Sequence, residues 1–360
     1  MLRRATWLLL LLAAVPGCNR HDVPDYRIVV IPKGLTNQFW VSIHRGAERA
    51  AADIRAEGGP NVQIIWDGPL REQDALEQIR IVDRRISTRV DGIVLAPQHS
   101  RTMALPVRRA IEQGIPVVVV DSGLEGGGFL KYVATDNYHG GQLAAERLLA
   151  TLAADGKPAP RIVLLRYAVG SESTEQRERG FVDVVNAAIA KQKAAGQPTI
   201  TWLSDDQYAG ATKDSAMRVA APLLNQFRGR IDGIFCPNES SAGGMIDALR
   251  SLGMNWSANA PDKVRLVGFD SSDHLLRALE EGDLDGTIVQ DPYRMGYLGT
   301  RVIVAHLQGR DVSVGGLNLS TGENVITKDN VRAETTLALF DKAAQDRRPM
   351  TMPQFPPLAK

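Results

Sequence analysis

The chain has 360 residues, 44% hydrophobic, 23% charged and only 6% aromatic, with a formal net charge of +1. That length exceeds one ordinary domain and points to two lobes. The balanced charge excludes a general attraction to nucleic acid or anionic membrane, and the globular composition with no long polar tract excludes a disordered chain.

The first element is an export signal. Arg3 and Arg4 form a basic start, and Ala5–Val15 is an apolar run of about 11 residues. A stable bilayer span needs about 20. The run ends in Val15-Pro16-Gly17-Cys18, which resembles a bacterial lipobox, although Pro16 departs from the usual small residue. On that reading residues 1–18 are a lipoprotein signal and lipobox, and Cys18 is acylated and becomes the first mature residue. Two or more acyl chains on one cysteine anchor stably. The alternative is an ordinary secretory signal with Cys18 a plain thiol. Residues 19–25 read as a polar tether. The other cysteine, Cys236, follows the apolar run Gly233–Phe235 and reads as a small core residue. No disulfide framework and no zinc-type histidine spacing exist, so neither a metal nor a cofactor is expected.

From Arg27 onward, β-rich runs alternate with amphipathic stretches. Strands are predicted at Arg27–Ile31, Val62–Trp66, Gly92–Leu95 and Pro116–Val120, with helices at Phe39–Ala56, Arg71–Ser87 and Thr102–Gln113 between them. The rhythm restarts after Tyr132–Ala134. Helices Gly141–Ala154, Thr174–Ala194, Ala211–Gln226 and Ser240–Leu252 precede strands Arg161–Leu165, Thr199–Leu203, Ile231–Phe235 and Val264–Val267. Alternation of this kind implies parallel strands with crossover helices. Runs apolar throughout, such as Val117–Val120, fit sheets covered on both faces. The fold class is therefore α/β, as two Rossmann-like lobes with a cleft between them.

Open α/β sheets bind ligands outside the carboxyl ends of their strands. The polar and aromatic residues that follow the β runs are Asn37, Phe39 and Trp40, then Asp121, Asn238, Asp270 and Gln290. Amides and carboxylates take hydroxyl hydrogen bonds, and an aromatic face covers the C–H face of a sugar ring. Each residue also has a plainer reading. Phe39 and Trp40 open a helix and read equally as core. Asn238 and Asp270 read equally as helix N-caps, Asp121 as a turn residue and Gln290 as a solvated loop residue. The argument rests on their shared position.

At this point the sequence resembles the ribose-type periplasmic sugar-binding proteins, solute receptors of ABC importers. The stretches that carry the resemblance are Pro32–Trp40, Tyr132–Gly141, Arg177–Phe181, Val267–Asp270 and Gly286–Gln290, in family order behind an export signal. The resemblance implies the periplasmic binding protein type I fold with three crossings between lobes. These would lie near Thr135–Asp136, Gln290–Asp291 and Ser320–Gly322, making residues 26–135 plus 291–320 the N-terminal lobe. Residues 136–290 plus 321–345 would form the C-terminal lobe and 346–360 a tail. It implies that Asn37, Phe39, Trp40 and Asp121 contact ligand from the first lobe, and Asn238, Asp270 and Gln290 from the far side and hinge. Arg177 is a further candidate, with a helix-face ion pair as its alternative. Ser122 and Glu175 stand where the ribose binders carry arginines, so Glu175 is expected to face the ligand and ribose itself is disfavoured. Tyr208 is a possible further aromatic wall.

The implied partners are a monosaccharide or small polyol, ABC permease subunits and the membrane through the lipid anchor. No nucleic acid is implied, and the protein is expected to be a monomer exported to the periplasm or cell surface. The same fold also serves as a ligand-sensing receptor for a sensor kinase or chemoreceptor, or binds a non-sugar polar ligand such as a quorum signal. An enzyme is disfavoured. Gly123–Gly128 loosely suggests a dinucleotide fingerprint, but strand-like Phe129–Tyr132 follows where a helix is required. A repressor sharing this core needs an N-terminal helix-turn-helix, where the export signal stands here. Hinge closure is the expected mechanism, and Trp40→Ala is expected to abolish binding while sparing stability.

Overall fold

The computed structural model describes residues 23–72, 74–254 and 263–358; the lipobox and Cys18 lie outside them. In the first lobe, β1 (Tyr26–Ile31), α1 (Gln38–Ala56), β2 (Val62–Trp66), α2 (Ala75–Ser87), β3 (Gly92–Leu95), α3 (Ala104–Glu112), β4 (Val117–Val120) and β5 (Tyr132–Ala134) follow in order. The chain then builds α4 (Asn137–Ala154), β6 (Arg161–Arg166), α5 (Glu172–Ala194), β7 (Thr201–Tyr208) and α6 (Lys213–Gln226). After these come β8 (Gly233–Phe235), α7 (Glu239–Ser251), β9 (Arg265–Phe269), α8 (Asp273–Glu281), β10 (Gly286–Val289) and α9 (Pro292–Leu307). Last are β11 (Asn318–Ser320), β12 (Asn324–Ile326), α10 (Glu334–Phe340) and α11 (Lys342–Arg347).

Two six-stranded sheets result, ordered β11-β5-β4-β3-β1-β2 and β12-β10-β9-β8-β6-β7. Every pairing is parallel except β10 with β12. The two orders are the same pattern used twice, so each lobe presents the carboxyl ends of its central strands to the other. β3 and β4 are buried at every residue because helices cover both faces. Apolar side chains on both faces of each sheet form the cores, so burial rather than local propensity fixes the strands.

β11 joins the first sheet and β12 the second, so the chain passes between lobes at Thr321–Glu323 as well as after β5 and after β10. It then crosses once more, which the sequence reading did not anticipate. Leu339 and Phe340 of α10 pack on the second-lobe core. After Asp341, α11 lies on the first lobe: Arg45 donates to the Gln345 side chain at 2.7 Å and pairs with Asp346 at 2.8 Å. Arg348 pairs with Asp291 at 2.7 Å, and Met350, Met352 and Phe355 pack on the first-lobe core. Residues 342–345, expected on the second lobe, therefore belong with the first.

Candidate functional site

Between the lobes lies a pocket lined by residues of both. Asn37, Phe39, Trp40, Asp121, Arg177, Asn238, Asp270 and Gln290 all line it, joined by Lys33, Glu72, Tyr167, Ser171, Ser173 and Thr174. Eight of the nine residues predicted to meet the ligand thus meet around one space.

The first-lobe wall starts where β1 ends. Lys33 is buried and its ammonium pairs with Asp121 at 3.0 Å. A buried amide network holds this turn: Gln78 donates to the Pro32 and Ala96 carbonyls, and Gln98 donates to the Lys33 carbonyl at 2.5 Å. Asn37 is the N-cap of α1, its side chain accepting the Phe39 amide at 2.9 Å. The cap sets the helix so that Phe39 and Trp40 meet edge to face, with centroids 4.8 Å apart. Trp40 is only 3% exposed and belongs to the lobe core as well as the wall. Trp40→Ala should therefore cost about 3–5 kcal/mol in stability, contrary to the sequence expectation that stability would be spared.

The second-lobe wall is built from strand ends too. Arg177 on α5 is 2% exposed; it donates to Asn137 at 2.8 Å and to the Pro237 carbonyl at 3.0 Å. Its guanidinium lies 3.8 Å from the centroid of Phe269. Asn238 caps α7 by accepting the Ser241 amide at 3.2 Å, so it is both cap and wall. Asp270 does not cap α8; Ser272 does. Instead the Asp270 carboxylate accepts the Glu239 amide at 2.9 Å and the Gln290 amide at 2.7 Å. The other side-chain atom of Gln290, Oε1, is buried with no partner. A buried acceptor without a donor costs about 1–3 kcal/mol, which a bound group able to donate would remove.

Glu175 is the exception. It lies on the exposed face of α5, where its carboxylate accepts the Gly170 amide at 2.6 Å, and it does not line the cavity. Residues two apart on a helix point about 200° away from each other, so α5 cannot turn both Arg177 and Glu175 inward. The register that put Glu175 opposite a ligand is corrected: Arg177 supplies the cation there. Ser122 does stand in the cleft, where its hydroxyl meets Ser173 of the other lobe at 3.2 Å. Tyr208 is 45% exposed on β7 and outside the cavity; Tyr167, just after β6, is the second-lobe aromatic instead.

Sequence reasoning missed Lys33, Glu72 and Tyr167. Lys33 and Tyr167 follow the ends of β1 and β6, the same signal that singled out Asn37 and Gln290. Glu72 lies in the turn before α2, with no pattern to mark it. Among the described residues no group of three or more His, Cys, Asp or Glu side chains is arranged to hold a metal, and no helix is long and apolar enough to cross a membrane.

The lobes, the hinge crossings and a pocket between facing strand ends define a bilobal binding protein. Comparison with known proteins gives the family: residues 28–311 match the periplasmic binding protein domain, and the chain belongs to that family, within its ribose-type sugar-binding branch. The chain is 28% identical over 294 residues to the ribose import binding protein of Bacillus subtilis (strain 168), covering 82% of this chain and 86% of that one. It is 27% identical over 287 residues to the D-allose-binding periplasmic protein of Escherichia coli (strain K12), covering 78% and 83%. Among solved structures, a carbohydrate transporter solute binding protein from Agrobacterium radiobacter in complex with D-arabinose is 30% identical. It aligns with a TM-score of 0.76 over 88% of this chain and 99% of that one.

Proposed function

We propose that the protein captures a monosaccharide or small polyol between its lobes, does no chemistry on it, and presents it to the permease subunits of an ABC importer. The observation that carries this reading is the polar and aromatic interlobe pocket with the unpaired buried acceptor Gln290 Oε1. A ligand rich in hydroxyl donors fits such a wall. In this reading Phe39 and Trp40 cover the apolar face of the ring, while Asp121, Asp270 and Gln290 accept hydroxyls. Lys33 and Arg177 donate from opposite lobes, and Asn37 and Asn238 offer their remaining amide N–H groups. The sugar-binding relatives support the same ligand class. The lipobox supports anchoring of the exported chain through Cys18.

Calorimetry and thermal shift of the soluble chain, residues 19–360, against D-ribose, D-allose, D-arabinose, xylitol and a set of amino acids test the ligand class. Saturable stabilisation by at least one sugar or polyol is expected. Stabilisation by amino acids alone would overturn the reading.

A further inference from the structure

The carboxylate of Glu72 is held from both lobes at once. Its Oε1 accepts the indole N–H of Trp40 at 2.6 Å and the amide of Asn37 at 3.4 Å, both from the first lobe. Its Oε2 accepts the phenol of Tyr167, from the second lobe, at 2.6 Å. Donors converge on the group, so it sits there as an acceptor, and such hydrogen bonds to a charged oxygen are short and strong. The residue is half-buried, and burial pushes its pKa up while the two short hydrogen bonds and nearby Lys33 pull it back. When the lobes part, the phenol leaves with the second lobe and water replaces it at Oε2.

We propose that Glu72 is a positioning residue that couples lobe closure to the pose of Trp40: the second lobe's phenol locks the first lobe's carboxylate, and the carboxylate fixes the indole that walls the ligand. Tyr167, the carboxylate and the indole form one relay in which each hydrogen bond polarises the next. The wall is then fully set only in the closed chain, and release of ligand requires the relay to break. This rests on the reading of the cavity as a ligand site.

The test compares wild type with Tyr167→Phe, Glu72→Ala, Glu72→Gln and the Tyr167→Phe/Glu72→Ala double variant. The probe is whichever of D-ribose, D-allose, D-arabinose or xylitol binds best. Tyr167→Phe and Glu72→Ala should each speed dissociation on the order of tenfold, as expected for one hydrogen bond to a charged group, with association little changed. The double variant should be no worse than Glu72→Ala alone. Glu72→Gln should recover part of the loss, because its carbonyl still accepts from Trp40 and its amide can donate to the phenol. Additive losses, or unchanged dissociation, would overturn the proposal. A second readout needs no ligand: in chain labelled with 5-fluorotryptophan and held closed by a Ser122→Cys/Ser173→Cys disulfide across the lobes, where the two hydroxyls now meet, the Trp40 resonance, assigned through Trp40→Phe, should move in Tyr167→Phe. If no sugar or polyol binds the wild type, the ligand reading fails, and the Trp40 resonance still decides the coupling. A resonance unmoved by Tyr167→Phe overturns it.

Discussion

Asp121 and Asp270 end the central strands β4 and β9 with φ of 64° and 76°, in the left-handed region. Few residues other than glycine tolerate that conformation, and aspartate is one of them. Backbone strain of this kind persists where the surroundings over-determine it and gathers at functional sites. Here the same kink occurs in both lobes and puts a carboxylate in the cavity wall each time. The sequence marks both residues by position after a strand, but nothing in the letters announces the kink. Trp40 was open between core and wall, and burial makes it both. Lys33 was unmarked because a lysine after a strand normally reads as solvated; its burial depends on Asp121, a partner 88 positions away.

Glu239 yields a pH prediction at this scale. It is half-buried at the edge of the cavity. Desolvation, then the Asp270 and Glu72 carboxylates, push its pKa from 4.5 up to about 8, against hydrogen bonds from Ser272 and Asn37. In parted lobes the side chain returns towards its ordinary value, so closure takes up a proton between those limits. A pKa raised in the closed state means that this contribution to closure is fully present below about 4.5 and is lost as pH rises through about 8. Ligand affinity should therefore fall by more than about tenfold from about pH 5.5 to about pH 8.5, and Glu239→Gln should flatten the profile. Calorimetry in buffers of different ionisation enthalpy checks this. An unchanged slope in the variant would show that Glu239 is not the group responsible.

At the scale of elements, close helix contacts set the geometry. A methyl group on Gly46 of α1 would lie 1.9 Å from the Tyr293 carbonyl oxygen of α9, and one on Gly296 would lie 1.9 Å from the Ile43 oxygen. In the second lobe, Gly141 of α4 and Gly180 of α5 meet in the same way: a methyl group on either would lie 2.0 Å from a carbonyl oxygen of the other helix. Each lobe thus joins one helix pair backbone to backbone. Gly46→Ala should force α1 and α9 apart and cost about 1–3 kcal/mol or more by overpacking. The urea midpoint reads this directly, and an unshifted midpoint would mean that the pair tolerates the methyl. Sequence reading found α1, α4 and α5 but placed no helix at α9, and found the central strands because runs like Val117–Val120 have no polar alternative. It did not find which face of α5 turns inward, because Glu175 and Arg177 are both polar and only packing on the second sheet separates them. α10 and α11 were also missed, being short and weakly patterned.

At the scale of the whole molecule, the two sheets repeat one strand order, which is why a strand-end rule applied to each half leads to a single shared cavity. The lobes also touch directly. The Ser100 amide donates to the Gly170 carbonyl at 3.0 Å, and the Gly123 amide to Glu172 at 2.7 Å. Closure therefore carries its own polar contacts besides any the ligand adds. Small-angle scattering with and without the best-binding sugar should show a compaction; identical profiles in both states would count against ligand-driven closure from an open resting form.

The last crossing of the chain decides where its ends ride. Val23 accepts a hydrogen bond from Asn61 at 3.3 Å, and the Leu358 amide donates to the Gly309 carbonyl at 2.9 Å, so both ends of the described chain belong to the first lobe. A tether at the N-terminus would hold that lobe still and leave the second to swing. It also governs how a biosensor must be built from this protein. Dyes at Val23 and Leu358 would travel together and stay silent as the ligand is swallowed. Moving one dye to the exposed turn at Gly196, beyond α5, puts it on the swinging half and turns closure into signal.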